Sequence, residues 1–223
     1  MLKVNGIKKT FSPGTVNEKR AIKEITFHLE PSDFMTVIGG NGAGKSTILN
    51  AIAGIFKVDT GSIIINGSDV TKLPEYKRAI HIGRVFQDTR MGTASDMTIE
   101  ENMAMALRRG KSRGLRKGIT KAERNLFRER LEILDLGLEN RMTAKTGLLS
   151  GGQRQALTLL MATMTKPELL LLDEHTAALD PKTEKKVLEL TNQIITEDKL
   201  TALMITHNMQ DAIRLGNRLM MLH

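Results

Sequence analysis

The chain of 223 residues contains no cysteine and no tryptophan, and it has only one tyrosine. Without cysteine there are no disulfide bonds, no thiolate catalysis and no zinc sites with cysteine ligands. Aromatic residues make up 3% of the chain, which argues against a platform that stacks nucleic-acid bases. No apolar run reaches membrane-spanning length, and residues 1–6 lack the apolar region of a secretion signal. This composition is compatible with a reducing cytosol.

What the chain does contain is the composition of an ordinary globular domain, with 40% hydrophobic and 26% charged residues. Its net charge is +8, and the excess is concentrated in residues 108–124, which hold eight lysines and arginines against one acid, Glu123. Gly110, Gly114 and Gly118 interrupt this basic segment, so we predict a loop or a broken helix. It is either a solvated charged loop or a binding surface for a membrane or a partner.

The strongest motif is a glycine-rich loop at residues 39–47, between a predicted strand over 34–38 and a predicted helix from Lys45. A strand, a G-x-x-x-x-G-K-S loop and a helix form the P-loop arrangement. The glycines let backbone N–H groups turn toward phosphate oxygens, and the helix start adds its positive dipole end. Lys45 is expected at the β- and γ-phosphates and the Ser46 hydroxyl at Mg²⁺. The predicted nucleotide-binding residues are Gly39, Asn41, Gly42, Ala43, Gly44, Lys45, Ser46 and Thr47.

Acidic residues end a fully apolar run over 169–172, which is typical of a central parallel strand covered on both faces. Asp173 can hold Mg²⁺ through water, and Glu174 can polarise a water for attack. Gln87 follows a predicted strand over 80–86 and can ligate Mg²⁺, although alone it would more often be an ordinary surface residue. Phe11 either stacks on a base or packs into a core.

Residues 95–165 change to a helical pattern. Thr98 and Glu101 fit a capping box at a helix start, and Asn66-Gly67 earlier in the chain predicts a hairpin turn. A further helix is predicted from the spacing of Leu126, Phe127, Leu131, Leu134 and Leu138. The methionines at 91, 97, 103 and 105 are most simply core residues, with a flexible docking surface as the alternative.

In this order the motifs resemble the nucleotide-binding subunit of an ATP-binding cassette (ABC) transporter, over essentially all 223 residues. The most specific is L-S-G-G-Q at 149–153, because few P-loop proteins carry this signature. The resemblance implies a single α/β domain. It would have a P-loop NTPase core with a mainly parallel sheet (1–94 and 166–223), an N-terminal antiparallel β subdomain and an inserted α-helical subdomain (95–165).

The resemblance also implies residue roles, with ATP and Mg²⁺ as cofactors. It assigns adenine stacking to Phe11, metal binding to Ser46, Gln87 and Asp173, and catalysis to Glu174, His207 and Lys45. Asp180 belongs to a further loop at the nucleotide. Two copies are expected to pair head to tail, so that ATP lies between the P-loop of one copy and the signature of the other. The signature residues in question are Ser150, Gly151, Gly152 and Gln153.

The function implied is an ATPase that powers solute transport through a separate permease, as a peripheral subunit on the cytoplasmic face of the cell membrane. Since importers commonly use separate subunits, we expect import of a small solute such as an amino acid. We also expect an extracellular solute-binding protein in the same system, and no nucleic acid. Two alternatives stay open. One is a soluble ATPase acting on nucleic acid or ribosomes, whose relatives usually carry two cassettes or a coiled-coil insertion. The other is a regulatory module that does not hydrolyse ATP. The presence of Glu174 and His207 argues against this alternative.

Two features depart from the family pattern. Proline usually follows the catalytic glutamate, but His175 stands here, which removes a fixed φ and adds a titratable group beside the expected dimer interface. A tolerated turn substitution is the simpler interpretation, and a pH switch is the alternative. The family's chains usually continue past the position of His223, so we expect a truncated chain, a disordered tail or a minimal cassette.

Overall fold

A computed structural model of the chain describes residues 1–111 and 118–223. In chain order, the strands in these ranges are β1 (Leu2–Phe11), β2 (Lys19–Leu29), β3 (Phe34–Gly39), β4 (Thr60–Ile65), β5 (Ser68–Asp69), β6 (Ile82–Val85), β7 (Leu169–Asp173), β8 (Thr201–Ile205) and β9 (Arg218–Leu222). The helices are α1 (Lys45–Ala53), α2 (Glu75–Arg78), α3 (Ile99–Leu107), α4 (Lys121–Glu132), α5 (Gly151–Thr163), α6 (Pro181–Glu197) and α7 (Met209–Leu215), with 3₁₀ turns at Leu138–Asn140 and Thr146–Leu148. Among the described residues, no helix is both long and apolar enough to cross a bilayer.

The first sheet is antiparallel, with strand order β2-β1-β4-β5. Its inward positions are apolar: Leu2 lies opposite Leu29 on one side and Ile65 on the other, and all three are fully buried. The predicted hairpin is confirmed, because Ile65 pairs with Ser68 across the two-residue turn at Asn66 and Gly67. Both turn residues have positive φ, 48° and 81°, as a type I′ turn requires.

The second sheet is parallel throughout, with strand order β6-β7-β8-β3-β9. The predicted apolar strand is its β7, and Leu169, Leu170, Leu171 and Leu172 are all fully buried. Because the strands are parallel, their carboxyl ends share one edge, where ligands bind in open α/β sheets. Asp173 and the loop after Gly39 therefore meet at this edge, and the predicted fold class is confirmed.

The strand predicted over 80–86 is shorter than expected. Pairing with β7 begins only at Ile82, opposite Leu169. The chain before it is still closing the turn after α2, where the His81 N–H donates to the Arg78 carbonyl at 2.9 Å. Ile80 stays 54% exposed, so the apolar pattern extended the predicted strand by two residues at its start.

Side chains of β7 alternate between two cores. Leu170 and Leu172 pack with the helical segment in one cluster, and Leu169 and Leu171 pack with α1 in the other. The first cluster contains Met103, Phe127, Leu131, Leu157 and their neighbours from α3, α4 and α5. The helices of the predicted 95–165 segment thus share a core with the sheet, while the exact limits of that subdomain stay a prediction.

Capping boxes begin three helices of this segment. Thr98 caps α3 with Glu101, as predicted, and Ser150 caps α5 with Gln153 in the same way. Thr120 caps α4. Each box satisfies N–H groups that have no partner within the helix, and losing such a cap costs about 1 kcal/mol.

The prediction that all four methionines are core residues is wrong for two of them. Met103 is fully buried, but Met91 is 65% exposed and Met105 is 46% exposed. On α3 the buried positions include Asn102, Met103 and Ala106, and the helical period turns residue 105 to the opposite face. Met91 lies in the loop after β6.

The basic segment is in part a set of fixed contacts, not a free charged loop. Arg124 donates to both carboxylate oxygens of Glu100, at 2.7 and 2.9 Å, and Arg108 lies 2.8 Å from Glu123. These pairs join α3 to α4. The remainder of the prediction falls on residues 112–117, with Arg113, Arg116 and Lys117, which lie outside the described residues.

Candidate nucleotide-binding site

The P-loop connects β3 to α1 at the carboxyl edge of the parallel sheet. The residue before α1, Gly44, has φ 90°, and a Cβ there would lie 2.8 Å from the Ala21 carbonyl oxygen. Only glycine fits this backbone and this approach. The loop surrounds a cavity of about 220 Å³. Lining it are Lys19, Ala21, Asn41, Gly42, Ala43, Gly44, Lys45, Ser46, Thr47, Glu174 and His207.

Lys45 is folded onto its own loop. Its Nζ donates to the carbonyl oxygens of Gly39 at 2.9 Å and Gly40 at 3.2 Å, and the residue is only 6% exposed. Two neutral carbonyls satisfy a nearly buried ammonium, but charged acceptors such as phosphate oxygens form stronger bonds. The lysine is therefore held at the cavity wall, ready to exchange carbonyls for phosphate.

Ser46 and Asp173 bring oxygen ligands together beside the loop. The Ser46 hydroxyl, at the start of α1, donates to Asp173 Oδ1, at the end of β7, at 3.2 Å. Burial raises the pKa of Asp173 above its ordinary value of 3.8, and the Ser46 hydrogen bond, Arg84 and Lys45 oppose that rise. A hydroxyl and a carboxylate are hard oxygen donors of the kind Mg²⁺ prefers. Gln87, the third predicted metal ligand, is exposed and does not line the cavity.

Glu174 and His207 are in contact with each other at the wall of the cavity. His207 Nε2 lies 2.6 Å from Glu174 Oε1, and the Glu174 side chain is only 10% exposed. At this distance the imidazole Nε2–H donates a hydrogen bond to the Glu174 carboxylate. Glu174 has φ 44°, and its N–H donates to the Ile205 carbonyl at 3.1 Å. The end of β8 thus fixes the backbone of Glu174, and a strained backbone of this kind is common at functional sites.

The signature residues and Asp180 lie apart from the cavity in this chain. Ser150 Oγ accepts from the Gln153 N–H at 3.2 Å at the start of α5, and Asp180 Oδ1 accepts from the Thr183 N–H at 3.1 Å at the start of α6. Gly152 packs directly on α6, because a Cβ there would overlap the Thr183 methyl group. Within one chain, the signature residues and Asp180 therefore lie apart from the P-loop, Glu174 and His207.

Phe11 also stays outside the cavity lining. Its ring packs edge-on against Phe56, with 5.1 Å between ring centroids, and the Lys9 ammonium lies 5.5 Å from its centroid. Phe11 pairs with Lys19 across β1 and β2, and Lys19 does line the cavity. Adenine stacking by Phe11 stays a prediction, with the residue next to the cavity rim.

Sequence reasoning missed Lys19, Ala21 and Arg84. Lys19 and Ala21 reach the cavity through strand pairing in the antiparallel sheet, and Arg84 Nη2 lies 3.8 Å from Asp173 Oδ2. None of them belongs to a local motif. In the sequence, Lys19 and Arg84 are visible only as charged residues, and Ala21 only as a small residue.

His175 is buried in this chain, which favours the simpler interpretation of a turn substitution over a pH switch. It is 2% exposed, and its Nε2 lies 3.0 Å from Thr191 Oγ1, which donates to the Val187 carbonyl at 2.8 Å. Because the Thr191 proton is used there, Nε2–H is the donor to Thr191. Burial lowers the pKa of His175 from 6.5 to about 4. The side chain thus fixes the turn against α6 in its neutral form.

Comparison with known proteins agrees with this geometry. Residues 22–177 match the family model described as ABC transporter. The chain is 44% identical to a tyrosine transport ATP-binding protein of Clostridioides difficile, over 100% of this chain and 88% of that protein. It is 34% identical to the methionine import ATP-binding protein MetN of Aliivibrio fischeri, over 94% of this chain and 59% of that protein.

A solved structure of an ATP-binding cassette, dimeric and bound to ADP and Pi after hydrolysis, superposes with a TM-score of 0.84 at 30% identity. The match covers 100% of this chain and 94% of the other. The family match, the relatives and this fold all cover the P-loop, the acids after β7 and the signature. The chain belongs to the ABC transporter family, as one of its ATP-binding, ATP-hydrolysing subunits.

Proposed function

We propose that this ATPase powers the uptake of a small solute, with amino acids as the leading class, through a separate permease. ATP hydrolysis is supported most by one observation: the P-loop, Glu174 and His207 all line the same cavity. Support for amino-acid transport comes from the relatives, one of which is a tyrosine transport protein and another a methionine import protein.

Each side chain at this cavity has a separate role in ATP hydrolysis. The Lys45 ammonium leaves the Gly39 and Gly40 carbonyls and binds the β- and γ-phosphates of ATP. The Glu174 carboxylate orients the attacking water and accepts its proton, while His207 holds that carboxylate in place. Ser46 and Asp173, with Gln87 after a movement of its loop, would hold Mg²⁺. When bound, the ion neutralises charge that develops on the phosphate oxygens.

The complete site needs a second copy of the chain. Ser150, at the start of α5, does not line the cavity of its own chain, and a helix start offers N–H groups to an anion. In a head-to-tail pair, Ser150, Gly151, Gly152 and Gln153 of one copy would cover the γ-phosphate bound by the other. The dimeric state of the similar cassette supports this arrangement.

The chain acts at the cytoplasmic face of the membrane as a peripheral subunit. Its proposed partners are a membrane-embedded permease and an extracellular solute-binding protein. ATP binding closes the pair of cassettes, and hydrolysis lets them open, so that each cycle can move the permease once. The exposed Met91 and Met105 would lie among the residues that face this partner.

An uptake measurement tests this function. Cells without the gene should lose accumulation of at least one radiolabelled amino acid, and the wild-type gene should restore it. Glu174→Gln should be expressed equally and restore nothing. Unchanged uptake of every amino acid in the deletion strain would contradict the proposed solute class. Nucleic acid that co-purifies with an ATPase-active chain would favour the alternative of a soluble ATPase.

A further inference from the structure

Arg84 places a buried charge in the middle of a short strand. In β6, Arg84 pairs with Leu171 of β7, and alternate residues of a strand share a face. Arg84 therefore lies on the face where Leu169 and Leu171 pack against α1. Asp173 lies two residues beyond Leu171 on that same face. An arginine at this position is within reach of the carboxylate at the strand end.

The guanidinium makes three contacts that connect three parts of the site. Nη2 donates to Asn50 Oδ1 of α1 at 2.5 Å, and it lies 3.8 Å from Asp173 Oδ2. The group also stacks over the Phe86 ring, 4.6 Å from its centroid, next to Gln87. The P-loop helix, the end of β7 and the loop that begins at Gln87 thus meet at one side chain.

Packing alone does not explain this arginine. Its side chain is only 13% exposed, and within the described ranges its Nε has no hydrogen-bond partner. A buried charge is costly to desolvate, and well-packed apolar side chains often replace buried ion pairs without loss of stability. A leucine or methionine at position 84 would fill the same place between β6 and α1. Packing alone would thus not require a charge at position 84, and the position of the guanidinium beside Asp173 offers another role.

The two oxygens of Asp173 have different partners. Oδ1 accepts from the Ser46 hydroxyl at 3.2 Å, and Oδ2 faces Arg84. We propose that Arg84 is a positioning residue: by attracting Oδ2 through an ion pair of 3.8 Å, it keeps Oδ1 directed at the Ser46 side, where a metal ion would bind. This inference rests on the proposed metal-binding role of Asp173. Partners that orient a metal ligand in this way are typically worth 10- to 100-fold in metal affinity.

The inference differs from two simpler roles. If Arg84 were only a crosslink between β6 and α1, its removal would lower stability and leave metal affinity unchanged. If its charge only repelled the cation, its removal would raise metal affinity. Positioning alone predicts weaker metal binding when the guanidinium is lost.

Mn²⁺ binding to the full chain with saturating ADP, followed by electron paramagnetic resonance, separates these roles. Arg84→Met should weaken Mn²⁺ binding about tenfold, while ADP affinity measured in EDTA stays unchanged. The Mg²⁺ concentration for half-maximal ATPase should rise by a similar factor. Arg109→Met is the matched control, because Arg109 donates to backbone carbonyls of Ile82 and Met161 and contacts no site carboxylate. It should keep the wild-type Mn²⁺ affinity.

Two further variants keep the test valid if Arg84→Met folds poorly. Arg84→Lys retains the positive charge but loses the planar guanidinium with its several N–H donors. Asn50→Leu retains the arginine but removes its hydrogen bond to α1. Each should weaken Mn²⁺ binding by a smaller factor, and Asn50→Leu should add nothing in the Arg84→Lys background. Wild-type or tighter Mn²⁺ binding in the Arg84 variants would overturn the inference. If Asp173→Asn also bound Mn²⁺ as the wild type does, the proposed metal role of Asp173 would fail as well.

Discussion

Lys45 lies at the wall of the nucleotide cavity. Its ammonium is held by two backbone carbonyls in a nearly buried position. These bonds already hold the ammonium at one place on the loop, so little conformational entropy is lost on binding. The phosphates offer a stronger, charged acceptor at the same place.

Lys45→Ala should therefore weaken ATP binding by about 10- to 100-fold, the value of a hydrogen bond between charged groups. Isothermal titration with ATP measures this directly. Lys3→Ala, at an exposed position of β1 away from the cavity, should bind ATP as the wild type does. Equal affinity in Lys45→Ala would mean that the P-loop is not the phosphate site.

His175 makes stability depend on pH in a defined direction. Burial lowers its pKa from 6.5 to about 4, so between these values the unfolded chain binds more protons than the folded one. Stability therefore rises with pH across this window and is lost as pH falls from 6.5 toward 4. The full effect is about 3 kcal/mol.

His175→Gln keeps a donor for Thr191 but does not titrate. Urea unfolding at pH 7 and pH 4.5 should show a smaller acid loss in this variant than in the wild type. His28→Gln, at an exposed position of β2, should lose as much stability as the wild type. The same acid loss in all three proteins would show that His175 accepts a proton in the folded state.

At the scale of elements, the contact between α5 and α6 sets where the signature lies. Gly152 allows this contact because a side chain there would overlap Thr183. Gly151, one residue earlier, is not restricted in this way, since a Cβ there would make an ordinary contact of 3.6 Å with Leu179. The packing of α5 against α6 thus requires glycine at position 152 but not at position 151.

Alanine substitutions at these glycines should have opposite effects. Gly151→Ala should stabilise the fold slightly, by about 0.5 kcal/mol or less, because Gly151 is the first residue of α5, whereas Gly152→Ala should destabilise it by about 1–3 kcal/mol through overpacking. Thr183→Ala in the Gly152→Ala background should restore part of the loss. Thermal unfolding monitored by circular dichroism gives all four values. A stable Gly152→Ala protein would show that α5 can move away from α6 at no cost.

At the scale of the whole molecule, local patterns predicted the elements but not the contacts between them. The strands at 169–173 and 201–205 and the cap at Thr98 follow from apolar runs and turn chemistry within a few residues. Strand pairing and helix packing determine the rest: Lys19 at the cavity, Arg84 beside Asp173 and the burial of His175. These depend on residues distant in sequence, which no local pattern reports.

The pairing of two copies is a further property of the whole molecule. Ser150→Arg would place a long cation at the start of α5, where the second copy's nucleotide must approach. We expect Glu174→Gln to form a dimer with ATP and Mg²⁺ and the double variant with Ser150→Arg to stay a monomer in size-exclusion chromatography. ADP in place of ATP should leave both monomeric. A dimer of the double variant would mean that the signature does not cover the nucleotide.

We propose that Glu174 activates the water that attacks ATP, and the hydrolysis rate of Glu174→Gln is the decisive measurement of this role. The variant keeps the shape of the side chain but loses its charge and basicity. ATP binding should be retained, and the rate should fall about 10²- to 10⁴-fold. Glu184→Gln is the matched control, because Glu184 accepts a hydrogen bond from Thr176 at 3.2 Å and does not line the cavity; its rate should stay near the wild type's. A Glu174→Gln protein that hydrolyses ATP at the wild-type rate would contradict the account.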